Sequence, residues 1–314
     1  MPFRAVLLAL MLLVPLGASA AGLPVAKKTL AFTSKAMDIS VAYPQTGNKA
    51  IDGTILDYAR KSVATFKAFE PDLSAGDHPY ALDTRFEVVR NDGRMFAVLF
   101  TEYADTGGAH PNTDYHTFNF LLPDGAEVFL PEIVNGPRGL KRISDLAGAY
   151  LLKTIGTGPD SLSDSDTIKS GTAPGAYSFR NFAIAADRLH IYFPPYQVAA
   201  YAAGPQEAVI PLAALKDVLR RDWRAPAASF DCGKAATTIE HAICADAALA
   251  RLDRQTAEAY QYAVANAYGA PAKEAVRQVQ RDWIARRNAA CSGPSPGACL
   301  VKSYRDRIAV LTKP

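Results

Sequence analysis

The stretch TRFEVVRNDGRMFAVLFTEY, residues 84–103, decides the fold class. Two runs rich in β-branched and aromatic residues flank Asn91-Asp92-Gly93, whose glycine tolerates the left-handed conformation a tight hairpin turn requires. Strands over Thr84–Arg90 and Met95–Tyr103 therefore pair antiparallel. Downstream, Tyr115–Leu121 and Ala126–Phe129 repeat the pattern across Pro123-Asp124-Gly125. Upstream, Leu30–Tyr43 alternates apolar and polar residues (Met37, Ile39, Val41, Tyr43), as a half-buried strand ending at Pro44 would. Between them, Ile51, Ile55, Tyr58, Val63 and Phe66 recur near helical spacing, predicting a helix over 51–69.

Farther along, Arg138–Ile155 reads as a helix with Leu140, Ile143, Leu146, Ala147 and Tyr150 on one side. Residues 156–175 are rich in Gly, Ser, Asp and Thr and are expected to form a mobile surface loop. Strands follow at Asn181–Ala185, Arg188–Phe193 and Val209–Pro211, then a helix from Leu212 to Trp223. Helices interleaved with antiparallel hairpins make this region α+β, with two halves expected at about 25–105 and 106–222.

Ala225-Pro226-Ala227-Ala228-Ser229 reads as a linker, and the composition changes after it. Thr237-x-x-Glu240 is a capping-box pattern, and Asp246 can cap a longer helix carrying Leu249, Leu252, Ala259 and Tyr260. Gly269-Ala270-Pro271 separates it from a helix over Ala272–Asn288, with Val276, Val279, Trp283 and Ile284 expected inward. Arg281, Arg286 and Arg287 are read as a solvated face. A last helix spans Cys299–Leu311, so residues 230–314 form a small all-α domain.

Arg4 followed by the apolar run Ala5–Gly17 and then Ala18-Ser19-Ala20 has the form of a signal peptide over 1–20. The apolar run is shorter than the roughly 20 residues a spanning helix needs, and a free periplasmic or secreted chain is expected. Its 49% hydrophobic and 21% charged residues are those of a folded protein. A net charge of +3 is too small to imply nucleic-acid or membrane binding. The charge is uneven: 21 basic and 23 acidic residues give 21–225 a net −2, while 12 basic and 8 acidic give 226–314 a net +4.

All four cysteines, Cys232, Cys244, Cys291 and Cys299, lie in the last region. A four-thiolate zinc site usually draws on ligand pairs separated by two to four residues. The wider spacing here and an oxidising compartment favour two disulfides. Four cysteines allow three connectivities. The local pairs Cys232–Cys244 and Cys291–Cys299 are favoured because short loops close readily.

Two family resemblances emerge from these residues. Tyr103-Ala-Asp-Thr-Gly107-Gly108-Ala109-His110-Pro111-Asn112 and the later Phe193-Pro194-Pro195-Tyr196-Gln197-Val198-Ala199-Ala200-Tyr201-Ala202-Ala203-Gly204 resemble signatures of the RsiV-type anti-sigma-factor ectodomain, which also accompanies certain peptidoglycan deacetylases. Ala200 stands where that family often has proline. The likeness covers roughly 25–222 and implies a lysozyme or cell-wall role, because the RsiV ectodomain is a lysozyme-binding module. The second covers 230–314. Phe230-Asp231-Cys232, Glu240, Ile243-Cys244, Leu252-Asp253, Trp283, Arg287, Cys291, Cys299-Leu300 and Tyr304 resemble the lysozyme inhibitor LprI family. A basic lysozyme of the c type would meet the net −2 region on better electrostatic terms than the net +4 domain.

The resemblances and the local chemistry select Tyr103, Gly107, Gly108, His110, Asn112, Tyr196 and Tyr201 as partner-binding candidates. Paired glycines permit positive φ and close backbone approach, while aromatic residues on ordered loops serve as interface anchors. Turn chemistry alone accounts for every residue of the glycine–His–Pro run, and a structural turn is the favoured reading there. Shared parity of His110, Asp114 and His116 raises a hydrolytic zinc site as an alternative, although the turn interrupts that parity. No catalytic residue, metal ligand or cofactor is assigned. The expected function is lysozyme binding or inhibition; a peptidoglycan- or glycan-binding module and a metal-dependent cell-wall-modifying enzyme are the alternatives.

Overall fold

The computed structural model describes residues 21–69, 71, 78–156, 158, 161–174, 179–220 and 228–311. The expected signal peptide and most of the expected linker lie outside them. The chain folds as an α+β region followed by a helical one closed by two disulfides. Among the described residues no helix is long and apolar enough to cross a membrane.

The first sheet has six strands in sequence order: β1 (Ala26–Thr33), β2 (Met37–Gln45), β3 (Tyr80–Asn91), β4 (Met95–Asp105), β5 (Asn112–Leu121) and β6 (Ala126–Glu127). Neighbours pair antiparallel except β2 and β3, which run parallel. Parallel neighbours need a crossover, supplied by helix α1 (Lys49–Lys67). Asn48 caps α1, its side chain accepting from the Ala50 and Ile51 amides. The helix buries Ile51 and Ile55 against the even-numbered face of β4 and β5, and Ala59 and Phe66 against Met37, Ile39 and Val41 of β2 and Leu82 of β3. Each such burial contributes about 1.5–3 kcal/mol. β4 and β5 pair continuously from Met95↔Leu121 to Ala104↔Asn112, across the position where two halves were expected to meet.

The single strand expected over Leu30–Tyr43 is instead a hairpin, β1 and β2. Ser34 makes the turn, its hydroxyl accepting from the Ala36 and Met37 amides. The chain then enters α2 (Leu130–Ile133), α3 (Gly136–Thr154) and α4 (Ser165–Gly171). Helix α4 lies within the segment expected to be a mobile loop. Asp164 caps it through the Asp166 and Thr167 amides, and Ile168 is buried. Strands β7 (Phe182–Ile184), β8 (Arg188–Phe193) and β9 (Gln206–Pro211) form a second, three-stranded antiparallel sheet. Helix α3 covers it with Leu140, Ile143, Ala147 and Leu151.

The helix expected from Leu212 to Trp223 is not formed over its described part. A 3-10 turn at Leu212–Leu215 gives way to a bridge between Leu219 and Val134. Two polar side chains of β5 join the sheets. Thr117 Oγ1 accepts from the Phe182 amide, while Asn119 accepts from the Ile184 amide and donates to the Phe182 carbonyl. All of these atoms are buried, so the edge of β7 is satisfied by side chains where a strand would otherwise be needed.

Helices α5 (Thr238–Ala245), α6 (Ala247–Asn266), α7 (Gly269–Ala290) and α8 (Gly297–Leu311) make up the last region. The Thr237–Glu240 capping box and the Asp246 cap both form. Disulfides link Cys232 to Cys244 and Cys291 to Cys299. The core gathers Ile239, Ile243, Leu249, Leu300 and Tyr304. Helix α7 is turned about its axis relative to expectation: Val279 and Ile284 are exposed, while Gln280 and Arg287 are buried. Arg287 donates to the Tyr304 hydroxyl at 2.6 Å, and that hydroxyl donates to Asp253 at 2.7 Å. The other Asp253 oxygen accepts from the Ser229 amide and hydroxyl.

Helix α6 also docks on the first region. Gln255 donates to the Glu127 carbonyl and to Glu132, and Arg251 pairs with Glu132 at 3.6 Å. Arg251 is 6% exposed and Glu132 2%. A second pair, Arg220 with Glu258, lies beside them.

Candidate functional site

The loop 106–111 joins the ends of β4 and β5. Gly107 turns it at φ +73°, and a Cβ there would lie 3.0 Å from the Tyr80 ring. A side chain is disfavoured at Gly107 on both counts. Gly108 sits exposed in the same loop with no such requirement. His110 follows, half-buried, its ring stacked on Tyr201 with centroids 3.7 Å apart. Tyr201 opens a 3-10 turn at Tyr201–Ala203 and donates its hydroxyl proton to the Pro111 carbonyl at 2.7 Å.

His110 Nδ1 lies 3.1 Å from the Pro111 carbonyl, and Nε2 lies 3.0 Å from the Tyr196 hydroxyl. A carbonyl only accepts, so Nδ1 carries a proton, while Nε2 bonds the Tyr196 hydroxyl, which can donate or accept. Tyr196 has φ +72°, alone among the described non-glycine residues in being positive, and is 61% exposed. A bulky residue held there stores strain of order 1–3 kcal/mol. Gln197 amide and side-chain bonds, to the Pro194 and Gly171 carbonyls, fix the chain behind it.

Three selected residues, His110, Tyr196 and Tyr201, thus come together across about 90 residues of sequence. Gly107 shapes the loop that presents them. Asn112 does not join them. It pairs with Ala104 at the start of β5, and strand alternation places it on the opposite face from Tyr103 and Thr113. Tyr103, 41% exposed, faces an open cleft of about 370 Å³ lined also by Asp83, Arg85, Thr101 and Thr113. The last four residues were missed. The parity that puts Tyr103 on this face was the signal that could have found them.

The zinc alternative fails on geometry. His110 is engaged in the loop, Asp114 pairs with Arg180 at 3.2 Å, and His116 stacks on Tyr58 of α1. Among the described residues no group of three or more His, Cys, Asp or Glu side chains could hold a metal ion. Near Tyr58, Ser62 donates to Glu102 at 2.5 Å. Burial pushes the Glu102 carboxyl above its ordinary range, opposed by that hydrogen bond.

Fold and site define the class: an α+β domain presenting a braced aromatic loop cluster, continued by a disulfide-closed helical domain. Residues 126–213 match the family described as "Protein of unknown function (DUF3298)", and residues 231–311 match "Lysozyme inhibitor LprI". The chain therefore carries a DUF3298 domain followed by an LprI domain.

It is 31% identical over 199 residues to the peptidoglycan-N-acetylmuramic acid deacetylase PdaC of Bacillus subtilis (strain 168), covering 62% of this chain and 42% of that protein. It is 32% identical over 83 residues to the lipoprotein LprI of Mycobacterium tuberculosis (strain H37Rv), covering 26% of this chain and 40% of that one. The chain thus spans about two fifths of these curated relatives. A solved DUF3298 family protein of Pseudomonas aeruginosa PAO1 superimposes with a TM-score of 0.48 at 15% identity, over 64% of this chain and 96% of the other.

Proposed function

We propose that this chain is an extracytoplasmic binding protein, periplasmic or secreted, that engages and inhibits lysozyme. The observation that carries the reading is Tyr196: a largely exposed ring, held at positive φ and tied to His110. Strain of this kind persists where surrounding contacts over-determine it, and it concentrates at binding sites. The ring loses little further freedom on association, which is what makes a rigid tyrosine an effective anchor. The match of the second domain to a family described as lysozyme inhibitors supports the choice of partner. The net negative charge of 21–225 favours encounter of the first domain with a basic enzyme. Two disulfides in the helical domain fit an oxidising compartment.

The test is inhibition of bacterial-wall lysis by c-, g- and i-type lysozymes in the presence of the chain from residue 21 onward. Inhibition at micromolar concentration is expected, with Tyr196→Ala weakening it about tenfold or more, a loss typical of a hot-spot residue. Tyr268, 98% exposed at the turn between α6 and α7, is the comparison. If Tyr268→Ala abolishes inhibition and Tyr196→Ala does not, the contact lies on the LprI domain. No inhibition of any class by the unaltered chain ends the inhibitor reading.

A further inference from the structure

The cleft beside Tyr103 has a chemistry of its own. On the face of the first sheet opposite α1, strand register sets Asp83 against Tyr103, Arg85 against Thr101, and Tyr103 against Thr113. These five side chains line the cleft, whose volume of about 370 Å³ falls at the small end of the roughly 300–1,000 Å³ of ligand sites. Its lining is largely apolar, although it draws on Asp83, Arg85, Thr101, Tyr103 and Thr113. Its polar groups are a carboxylate, a guanidinium and three hydroxyls, and Arg85 Nε donates to Asp83 Oδ2 at 2.8 Å.

We propose that this cleft is a saccharide-binding site, taking a neutral sugar ring with one C–H face against Tyr103 and its hydroxyls on Asp83, Arg85 and the threonines. The charges within the cleft cancel, so a bare anion meets Asp83 and a bare cation meets Arg85. A purely apolar ligand would strip water from that pair and return no hydrogen bond. An extended peptide is disfavoured for another reason. β4 is paired along both edges, and β3 is too over Ala81–Thr84, so the backbone beneath Asp83 and Tyr103 is closed to strand addition. A sugar ring matches what remains. It has an apolar face, and its hydroxyls donate and accept, so adjacent hydroxyls can bridge a carboxylate and a guanidinium at once.

The site differs from the Tyr196 cluster in position and chemistry, and it does not depend on the lysozyme reading. It begins one register step inside the last β4–β5 pair, Ala104↔Asn112.

The experiment is a calorimetric and tyrosine-fluorescence titration of the chain from residue 21 onward with chitotetraose and with cellotetraose. Inorganic phosphate is the anion control. Saturable binding of at least one tetrasaccharide is expected, with none of phosphate. Tyr103→Ala and Arg85→Ala should each weaken it about tenfold with thermal unfolding unchanged, while Tyr103→Phe retains it because the stacking ring survives. Tyr196→Ala should leave it intact, which separates this outcome from failure of lysozyme inhibition. The proposal is overturned if neither saccharide saturates, if Tyr103→Ala titrates like the unaltered chain, or if phosphate binds as well as sugar does.

Discussion

Tyr196 brings local conformation and recognition into conflict. Its backbone favours glycine, whereas its ring stands largely exposed, as the proposed contact requires. Tyr196→Gly should therefore relieve strain and hold or raise thermal stability by about 1 kcal/mol while weakening lysozyme inhibition. A variant that loses stability along with inhibition would show that the ring is there for packing. Arg287 makes the opposite case. It was read as one of three solvated arginines, yet it is 8% exposed and bonded to Tyr304. Arg287→Ala removes the buried donor to the Tyr304 hydroxyl, which in turn bonds Asp253, and should cost about 1–3 kcal/mol, measured by denaturant unfolding. Neither the φ of Tyr196 nor the burial of Arg287 is written in local sequence, because both depend on partners far along the chain. Composition marked the aromatic residues as special but could not show that His110 lies against Tyr201.

Elements were legible wherever turn chemistry was local. Asn91-Asp92-Gly93, Pro123-Asp124-Gly125 and the Thr237 capping box each carry their signal within four residues, and each forms as expected. Three misreadings share a cause. The β1–β2 turn is closed by the amide and hydroxyl of Ser34, and α4 by one aspartate cap inside a polar segment. The third is the phase of α7, set by Gln280 bonding Arg307 and Arg287 bonding Tyr304, so that polar residues occupy the inner face. Hydrophobic periodicity cannot detect an inward face made of hydrogen bonds. The short loop closed by Cys291–Cys299 connects α7 to α8. Replacing both cysteines with serine should cost about 2–3 kcal/mol, on a loop-entropy estimate. Denaturation followed by helical circular dichroism would read this loss.

Across the whole molecule, the two domains meet through buried charge. Burial pushes the Glu132 carboxyl up to about 7, against the opposing pull of the Phe129 amide, Arg251 and Gln255. It does the same for Glu258 against Arg220, with Glu132 adding to the rise. Freed from the interface, both return towards the ordinary 4.5. The docked form therefore binds more protons between these values. Its added stability is complete below about pH 4.5 and fades as pH rises through 7. Thermal unfolding should accordingly be higher near pH 5 than near pH 8, and Glu132→Gln should flatten that difference. An unchanged slope in the variant would place the dependence elsewhere.

The outermost strand, β1, leaves one rim of the first sheet unclaimed. Nearly every side chain along it faces solvent, and the adjacent Lys27 and Lys28 stand at its start. Lysines at the start of an edge strand disfavour its pairing with a second exposed edge.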